Sequence, residues 1–280
     1  MPSWSRILVG QSGGPTAAIN ASLAGVMAAG HAAGCSVLGM RYGIEGFLAG
    51  RTVDLDGACE DGVALASLSH VPASMLGSCR YRLPDPAADE APYRRIFERL
   101  NQLGICAVVY IGGNDSMDTV DRLGAYGERQ GSAVRIVGVP KTIDNDLAGT
   151  DHTPGYGSAA RFVATAVGEL ACDADVYDLK SVTFVEVMGR DPGWLTAAAS
   201  LAPLMGYPAP DLVLLPEVML DLDMLMQRLS VLLGQRNTVM VAVSEGVHLA
   251  DGTPVAELGA ARPVGTDAFG HMAAMSGACR

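Results

Sequence analysis

Residues 106–116 read Cys106-Ala107-Val108-Val109-Tyr110-Ile111-Gly112-Gly113-Asn114-Asp115-Ser116. A strongly apolar strand, Cys106–Ile111, runs into a Gly-Gly pair, and a helical pattern follows over Ser116–Gln130. The same order stands at the start of the chain. Strand Ile7–Gly10 leads into Gln11-Ser12-Gly13-Gly14-Pro15-Thr16, then into a small-residue helix from Pro15 to about Ala33, closed by Gly34. Repetition of strand, glycine turn and helix is the mark of βαβ units and a parallel sheet.

Working outward, Ser36–Met40 reads as a strand and Tyr42–Gly50 as a Gly-rich loop. Asp89–Gly104 is an amphipathic helix with Tyr93, Ile96, Phe97, Leu100 and Leu103 on one face and Gly104 at its stop. Arg135–Val139 is a strand. A long polar loop, Pro140–Pro154, follows, and loops of that length inside α/β proteins are usually functional or interdomain. The alternation then resumes: helix Ser158–Cys172, strand Val182–Met188, helix Gly193–Leu201, strand Asp211–Leu215, helix Leu222–Leu233 and strand Thr238–Val243. The pattern predicts an α/β protein of two Rossmann-like domains with mainly parallel sheets, 1–150 and 151–280. Asp267–Arg280 reads as a helix with Phe269, Met272, Met275 and Cys279 on one side and no stop signal. The chain is therefore expected to be cut in mid-element, leaving the second half incomplete.

Composition narrows the function. The 280 residues are 49% hydrophobic and 18% charged, which excludes wholesale disorder. Nineteen Lys and Arg against 30 Asp and Glu leave a net charge of −11. Such a chain lacks the electrostatic footprint of a nucleic-acid or anionic-membrane binder. An anionic substrate would need a local cationic pocket to hold it against that field. The six cysteines, Cys35, Cys59, Cys79, Cys106, Cys172 and Cys279, show no C-x-x-C spacing, which points to free thiols in a cytoplasmic protein. No signal peptide and no membrane span is expected.

Four loops carry candidate chemistry. Gln11–Thr16 and Ile111–Ser116 each follow a strand and open a helix, where backbone N–H groups and the helix terminus favour an anion. Pro15 suits the first helical position. Asp115 beside such a cradle is repulsive to phosphate unless Mg²⁺ lies between or the residue blocks part of a larger ligand. Helix capping by Asp115 stays open beside both. In Pro140-Lys141-Thr142-Ile143-Asp144-Asn145-Asp146, Asp144 suits a general base and Lys141 a phosphoryl-neutralising cation. An Asx-rich turn bonded to its own backbone is the alternative. Met188-Gly189-Arg190 sets at a strand end an arginine fork that matches phosphate, or a surface ion pair. Trp194 is expected in the core. Gly77-Ser78-Cys79-Arg80 and Ser244-Glu245-Gly246 are weaker on their own. The histidines are scattered, and neither a P-loop nor G-x-G-x-x-G occurs.

Taken together and in order, SGGPTAAIN (12–20), GSCR (77–80), IGGNDS (111–116), PKTIDNDL (140–147), TPGYGSAA (153–160), VEVMGRDPGW (185–194), LPE (215–217) and SEG (244–246) resemble the phosphofructokinases. The resemblance implies the phosphofructokinase fold, two α/β domains with the active site between them, and phosphoryl transfer to the 1-hydroxyl of fructose 6-phosphate with Mg²⁺. It implies that Asp144 is the catalytic base, that Thr142 lines the same substrate, and that Met188, Gly189, Arg190 and Glu245 hold the sugar phosphate. Gly13, Arg80 and Ser116 fall on the donor side, and Asn114 and Asp115 on the metal.

Asp115 and Lys141 stand where ATP-using members carry glycines, and in the family that pair marks the pyrophosphate-dependent enzymes. Asp115 adds bulk and negative charge where an ATP α-phosphate would lie, and Lys141 adds a cation beside the phosphoryl group in flight. A pyrophosphate-dependent, reversible, glycolytic and cytoplasmic enzyme is expected, a homodimer or homotetramer when complete. An ATP-dependent enzyme and an inactive sugar-phosphate-binding fragment are the alternatives. The family's later Gly-x-x-Gln-Arg block is absent, since Gln227-Arg228 and Gln235-Arg236 both precede Glu245.

Overall fold

The apolar runs form the strands of two mainly parallel sheets, seen in a computed structural model that describes residues 6–60 and 62–258. The chain divides into two compact units, Met1–Thr142 and Ile143–Arg280. The division falls inside the loop expected to separate the domains, ahead of the boundary read near residue 150. Lys141 and Thr142 are buried, and the Lys141 N–H donates to Gly112 O at 2.9 Å, which ties the start of the loop to the first unit.

The first unit runs β1 (Arg6–Gln11), α1 (Ala17–Ala32), β2 (Ser36–Met40), α2 (Gly43–Leu48), β3 (Thr52–Asp54), α3 (Asp56–Glu60), α4 (Gly62–Leu68), α5 (Ala91–Gln102), β4 (Ala107–Gly112), α6 (Asn114–Arg129) and β5 (Arg135–Pro140). Its sheet has the order β3-β2-β1-β4-β5. All pairs are parallel except β2 with β3. Side chains alternate across the sheet, so neighbouring residues feed different cores. Leu8, Val108 and Tyr110 pack with Phe47, Tyr93, Ile96, Leu100 and Tyr126. Val9 and Ile111 pack with Ile19, Leu23, Met27 and Leu76. Helices on both faces explain why these strands are almost uniformly apolar.

The second unit runs α7 (Tyr156–Ala174), β6 (Ser181–Val187), α8 (Trp194–Ala198), a 3₁₀ turn (Ala199–Met205), β7 (Leu212–Leu214), α9 (Leu222–Gln235), β8 (Thr238–Ser244) and a second 3₁₀ turn (Val255–Glu257). Its three strands are parallel in the order β6-β8-β7. The central strand, β8, is buried from Val239 to Ser244. Met240 and Ala242 pack with Val167 of α7, whereas Val239 and Val241 pack with Leu229 of α9.

Several expectations are corrected. Tyr42–Gly50 is not a loop but carries α2, whose Ile44 and Phe47 are fully buried. Its glycines serve close backbone approach, since a Cβ on Gly46 would lie 1.7 Å from Arg41 O. Pro15 is not in the first helical turn; it precedes Thr16, the N-cap of α1. The helix over Gly193–Leu201 changes to 3₁₀ at Ala199, ahead of Pro203. Trp194 is 52% exposed rather than in the core. The antiparallel β3 and the helices α3 and α4 had no sequence signal strong enough to read. The helix expected at Asp267–Arg280 lies outside the described residues. The described cysteines Cys35, Cys79, Cys106 and Cys172 are free thiols. Among the described residues no helix is long and apolar enough to cross a membrane.

Because Phe47 anchors α2 in the core, Phe47→Ala should lower unfolding free energy by about 3–5 kcal/mol. Chemical denaturation read by circular dichroism checks this, and a loss below about 1 kcal/mol would contradict the packing described for α2.

Candidate active site

In the first unit the chain leaves β1 toward β2 on one side and returns to β4 on the other. Ligands of open α/β sheets gather at the carboxyl ends of strands flanking such a reversal. Both Gly-Gly turns lie there. Ser12 N–H donates to Ile111 O at 2.9 Å, so the turn after β1 is bound to the end of β4. Gly13 adopts φ +81°, a left-handed conformation that glycine takes without strain. A Cβ on Gly13 would lie 3.4 Å from Gly113 N and 3.7 Å from Lys141 Nζ. A main-chain nitrogen and an ammonium thus converge on the space that the missing side chain leaves. Beside it, nothing comes within 4 Å of a Cβ built on Gly14.

Lys141 is 5% exposed. Its ammonium donates to Gly14 O at 2.5 Å. The end of β5 is thereby fastened to both glycine turns. Neither helix opening here has a side-chain cap bond at its N-cap residue, Thr16 in α1 or Gly113 in α6. Asp115 is therefore not the N-cap; it occupies the first turn of α6, where a carboxylate favours the helix dipole. Asn114 and Asp115 are exposed, while Ser116 is buried with its Oγ against Gly112.

Sequence reasoning assigned no role to Ser78, although it stands inside the GSCR block. Its hydroxyl donates to Gly13 O at 2.8 Å. Ser12 Oγ donates to Cys79 O at 3.3 Å. These two bonds bring the segment carrying the exposed Arg80 against the first glycine turn. Behind it, Tyr110 OH lies 4.0 Å from Cys79 Sγ. Burial first, then the neighbouring Cys79, pushes the Tyr110 phenol above its ordinary range, so it stays a neutral hydrogen-bonding group.

The second unit holds the remaining candidates. Ile143 packs in its core with Tyr156, Val187 and Leu195. Asn145 holds φ +59°. Its Oδ1 accepts from Thr153 N–H at 2.8 Å and its Nδ2 donates to Asp151 O at 3.2 Å. Those bonds reach several residues along the loop, farther than the local Asx turn considered from sequence. Asp144, half-buried, is held between these two anchors. At the carboxyl ends of β6 and β8, Glu245 N–H donates to Val187 O at 3.0 Å and Gly189 N–H donates to Glu245 Oε1 at 3.3 Å. Ser244 Oγ donates to Gly189 O. A Cβ on Gly246 would lie 1.7 Å from Arg190 O. Met188 and Arg190 are exposed. This arrangement brings Gly189, Arg190 and Glu245 together. Glu217, in the LPE block, accepts from Gly193 N–H at 2.8 Å, a role that the sequence alone did not suggest.

The Phosphofructokinase family profile matches residues 6–274. The chain belongs to the phosphofructokinase family. It is 41% identical over 268 residues to a Xanthomonas campestris protein named pyrophosphate--fructose 6-phosphate 1-phosphotransferase, covering 95% of this chain and 63% of that protein. It is 30% identical to a Cytophaga hutchinsonii protein named ATP-dependent 6-phosphofructokinase, over 80% of this chain and 62% of that protein. The crystal structure of a pyrophosphate-dependent phosphofructokinase from Nitrosospira multiformis superposes with a TM-score of 0.78 at 33% identity. That match covers 89% of this chain and 62% of that one. The chain therefore spans somewhat less than two thirds of these relatives, and the α/β fold with mainly parallel sheets is that of the family.

Asn145 holds the loop beside Asp144, so Asn145→Ala should leave the buried Thr153 N–H unsatisfied at about 1–3 kcal/mol, while the carbonyl of the exposed Asp151 turns to water. Expected are a lower melting temperature and faster proteolytic cutting between residues 145 and 153. Unchanged proteolysis would show that the amide does not hold the loop.

Proposed function

We propose that the full-length protein is a pyrophosphate-dependent 6-phosphofructokinase, transferring phosphoryl from pyrophosphate to the 1-hydroxyl of fructose 6-phosphate. The products are fructose 1,6-bisphosphate and phosphate, and the reaction is reversible. The observation that carries this reading is the buried Lys141 ammonium at the paired glycine turns, with Asp115 in the first turn of the adjoining helix. The relatives named for pyrophosphate add support. We place the enzyme in the cytoplasm, in glycolysis, and assign the whole protein a homodimeric or homotetrameric state.

In this reading the donor anion rests on the Gly13 and Gly113 turns, with Arg80 and Ser116 as further donors. Lys141 neutralises charge that builds on the transferring phosphoryl group. Asp144 takes the proton from the sugar 1-hydroxyl as its oxygen bonds to phosphorus, while the bridging P–O bond of pyrophosphate breaks and phosphate leaves. Thr142 lines the same sugar. Arg190 grips the 6-phosphate, and Glu245, with Met188 and Gly189, fixes the sugar. Asp115 repels a longer polyphosphate chain, so a nucleotide is disfavoured by charge as well as by bulk.

Magnesium fits the donor set. Among the described residues no cluster of three or more His, Cys, Asp or Glu side chains is placed to hold a metal. Mg²⁺ does not need one, because it commonly keeps several waters and binds through one or two carboxylates plus substrate phosphates. Asn114 and Asp115, exposed on the first turn of α6, would supply the protein oxygens, and the ion would offset phosphate charge.

Two sets of variants test the assignment. Asp144→Asn should lower kcat by about 10²–10⁴ with fructose 6-phosphate binding little changed; near-wild-type turnover would remove Asp144 as the base. Asp115→Gly should raise ATP use and lower pyrophosphate use, and Lys141→Gly should cripple the pyrophosphate reaction. Useful ATP activity should need both changes together. A double variant with no gain in ATP use would contradict the roles given to the pair.

A further inference from the structure

The last residue of β1, Gln11, is fully buried. Each of the four hydrogen-bonding positions of its amide has a partner within reach. Nε2 donates to Ile19 O at 3.0 Å and to Asn20 Oδ1 at 3.1 Å. Oε1 accepts from Leu76 N–H at 2.8 Å and from Ser74 Oγ at 3.0 Å. Asn20, on α1 and 2% exposed, extends the network. Its Oδ1 also accepts from Met75 N–H at 2.9 Å, and its Nδ2 donates to Val71 O at 3.0 Å.

These two amides, from the strand and helix that flank the first glycine turn, hold the segment 71–76 at Val71, Ser74, Met75 and Leu76. The single Ser74 hydroxyl proton is shared between Gln11 Oε1 and Gly77 O, the latter 2.8 Å away. The held segment runs directly into Gly77-Ser78-Cys79-Arg80, whose Ser78 closes back onto Gly13. Ala73 within it sits at φ +86°, a conformation that a non-glycine residue keeps only where its surroundings over-determine it. With Gln11 and Asn20 buried at its centre, such a network fixes one arrangement, because any slip leaves their amide groups unsatisfied in a low-dielectric interior.

We infer that Gln11, Asn20 and Ser74 are positioning residues for the donor side of the site: their network holds the 71–80 segment so that Ser78 and Arg80 are set against the Gly13 turn before pyrophosphate arrives. This rests on the pyrophosphate reading above. None of the three touches the reacting atoms in that account. They act through the segment they hold, and removing order there would raise the entropic cost of binding the donor. The residues assigned above to the sugar, Gly189, Arg190 and Glu245, belong to the other structural unit, so their substrate should be unaffected.

The test uses full-length wild type, Ser74→Ala, Ser74→Thr and Asn20→Asp, with Kd for pyrophosphate and for fructose 6-phosphate from calorimetry and KM for each from steady-state assays. Ser74→Ala should raise Kd and KM for pyrophosphate about fivefold, the equivalent of one net hydrogen bond, and leave fructose 6-phosphate within twofold. Ser74→Thr should restore the wild-type values. Asn20→Asp should weaken pyrophosphate further, because a carboxylate oxygen then faces Val71 O. Equal weakening of both substrates, or no weakening of pyrophosphate, would overturn the inference. Wild type that binds no pyrophosphate would instead overturn the functional reading on which it rests. Hydrogen exchange on the ligand-free wild type needs no variant: the Met75 and Leu76 amides should be strongly protected, and exchange at the rate of an open loop would show that the segment is not held.

Discussion

The bond from the Lys141 ammonium to the Gly14 carbonyl is the constraint on which the first unit's site depends. Three strand ends meet through it. The Lys141 main chain is bonded to Gly112 at the end of β4, its side chain reaches the turn after β1, and its own position is the first after β5. Burying a cation is costly unless partners compensate. Here the charge is already desolvated, so its attraction for an anion at the glycine turns would be stronger than that of a flexible surface lysine. Glycine at 13 is the complementary half of the device, because a Cβ there would lie 3.7 Å from that ammonium, in the space a ligand would use.

This local arrangement answers a problem set by the whole chain. A net charge of −11 repels phosphates at long range. Such a protein holds an anion only by concentrating oriented donors within a few ångströms, where they outweigh screened distant charges. Two helix N-termini, turn N–H groups and Lys141 make up such a concentration in the first unit. In the proposed function, Arg190 and the main chain around Gly189 play that part in the second unit.

Most of the fold was legible because parallel strands buried on both faces are written as apolar runs, and those runs alternate with helix-period segments. Cys106–Ile111 and Thr238–Val243 needed nothing more. The candidate residues were legible for a related reason: Gly13, Lys141, Asp144 and Arg190 all fall in turns at strand ends, where polar and glycine residues interrupt the apolar pattern. What escaped was set by distant contacts. The glycines of α2 looked like a loop, yet Gly46 is there because Arg41 O leaves no space for a Cβ. The three residues of β3 are too few to show a period. Ser78, Ser244 and Glu217 sat inside recognised blocks, but their partners lie far along the chain. The Gln11–Asn20–Ser74 network joins residues separated by more than fifty positions, a pairing no single sequence displays. Trp194 shows the converse error, since a large aromatic side chain beside a strand end was read as core and stands exposed.

The central claim is that charged side chains at 115 and 141 define a site for a short inorganic phosphate donor. The most direct measurement is steady-state kcat/KM of the full-length wild-type protein, with saturating fructose 6-phosphate and Mg²⁺, for pyrophosphate and for ATP in parallel. The account predicts a value for pyrophosphate higher by orders of magnitude. Equal values, or a preference for ATP, would contradict it.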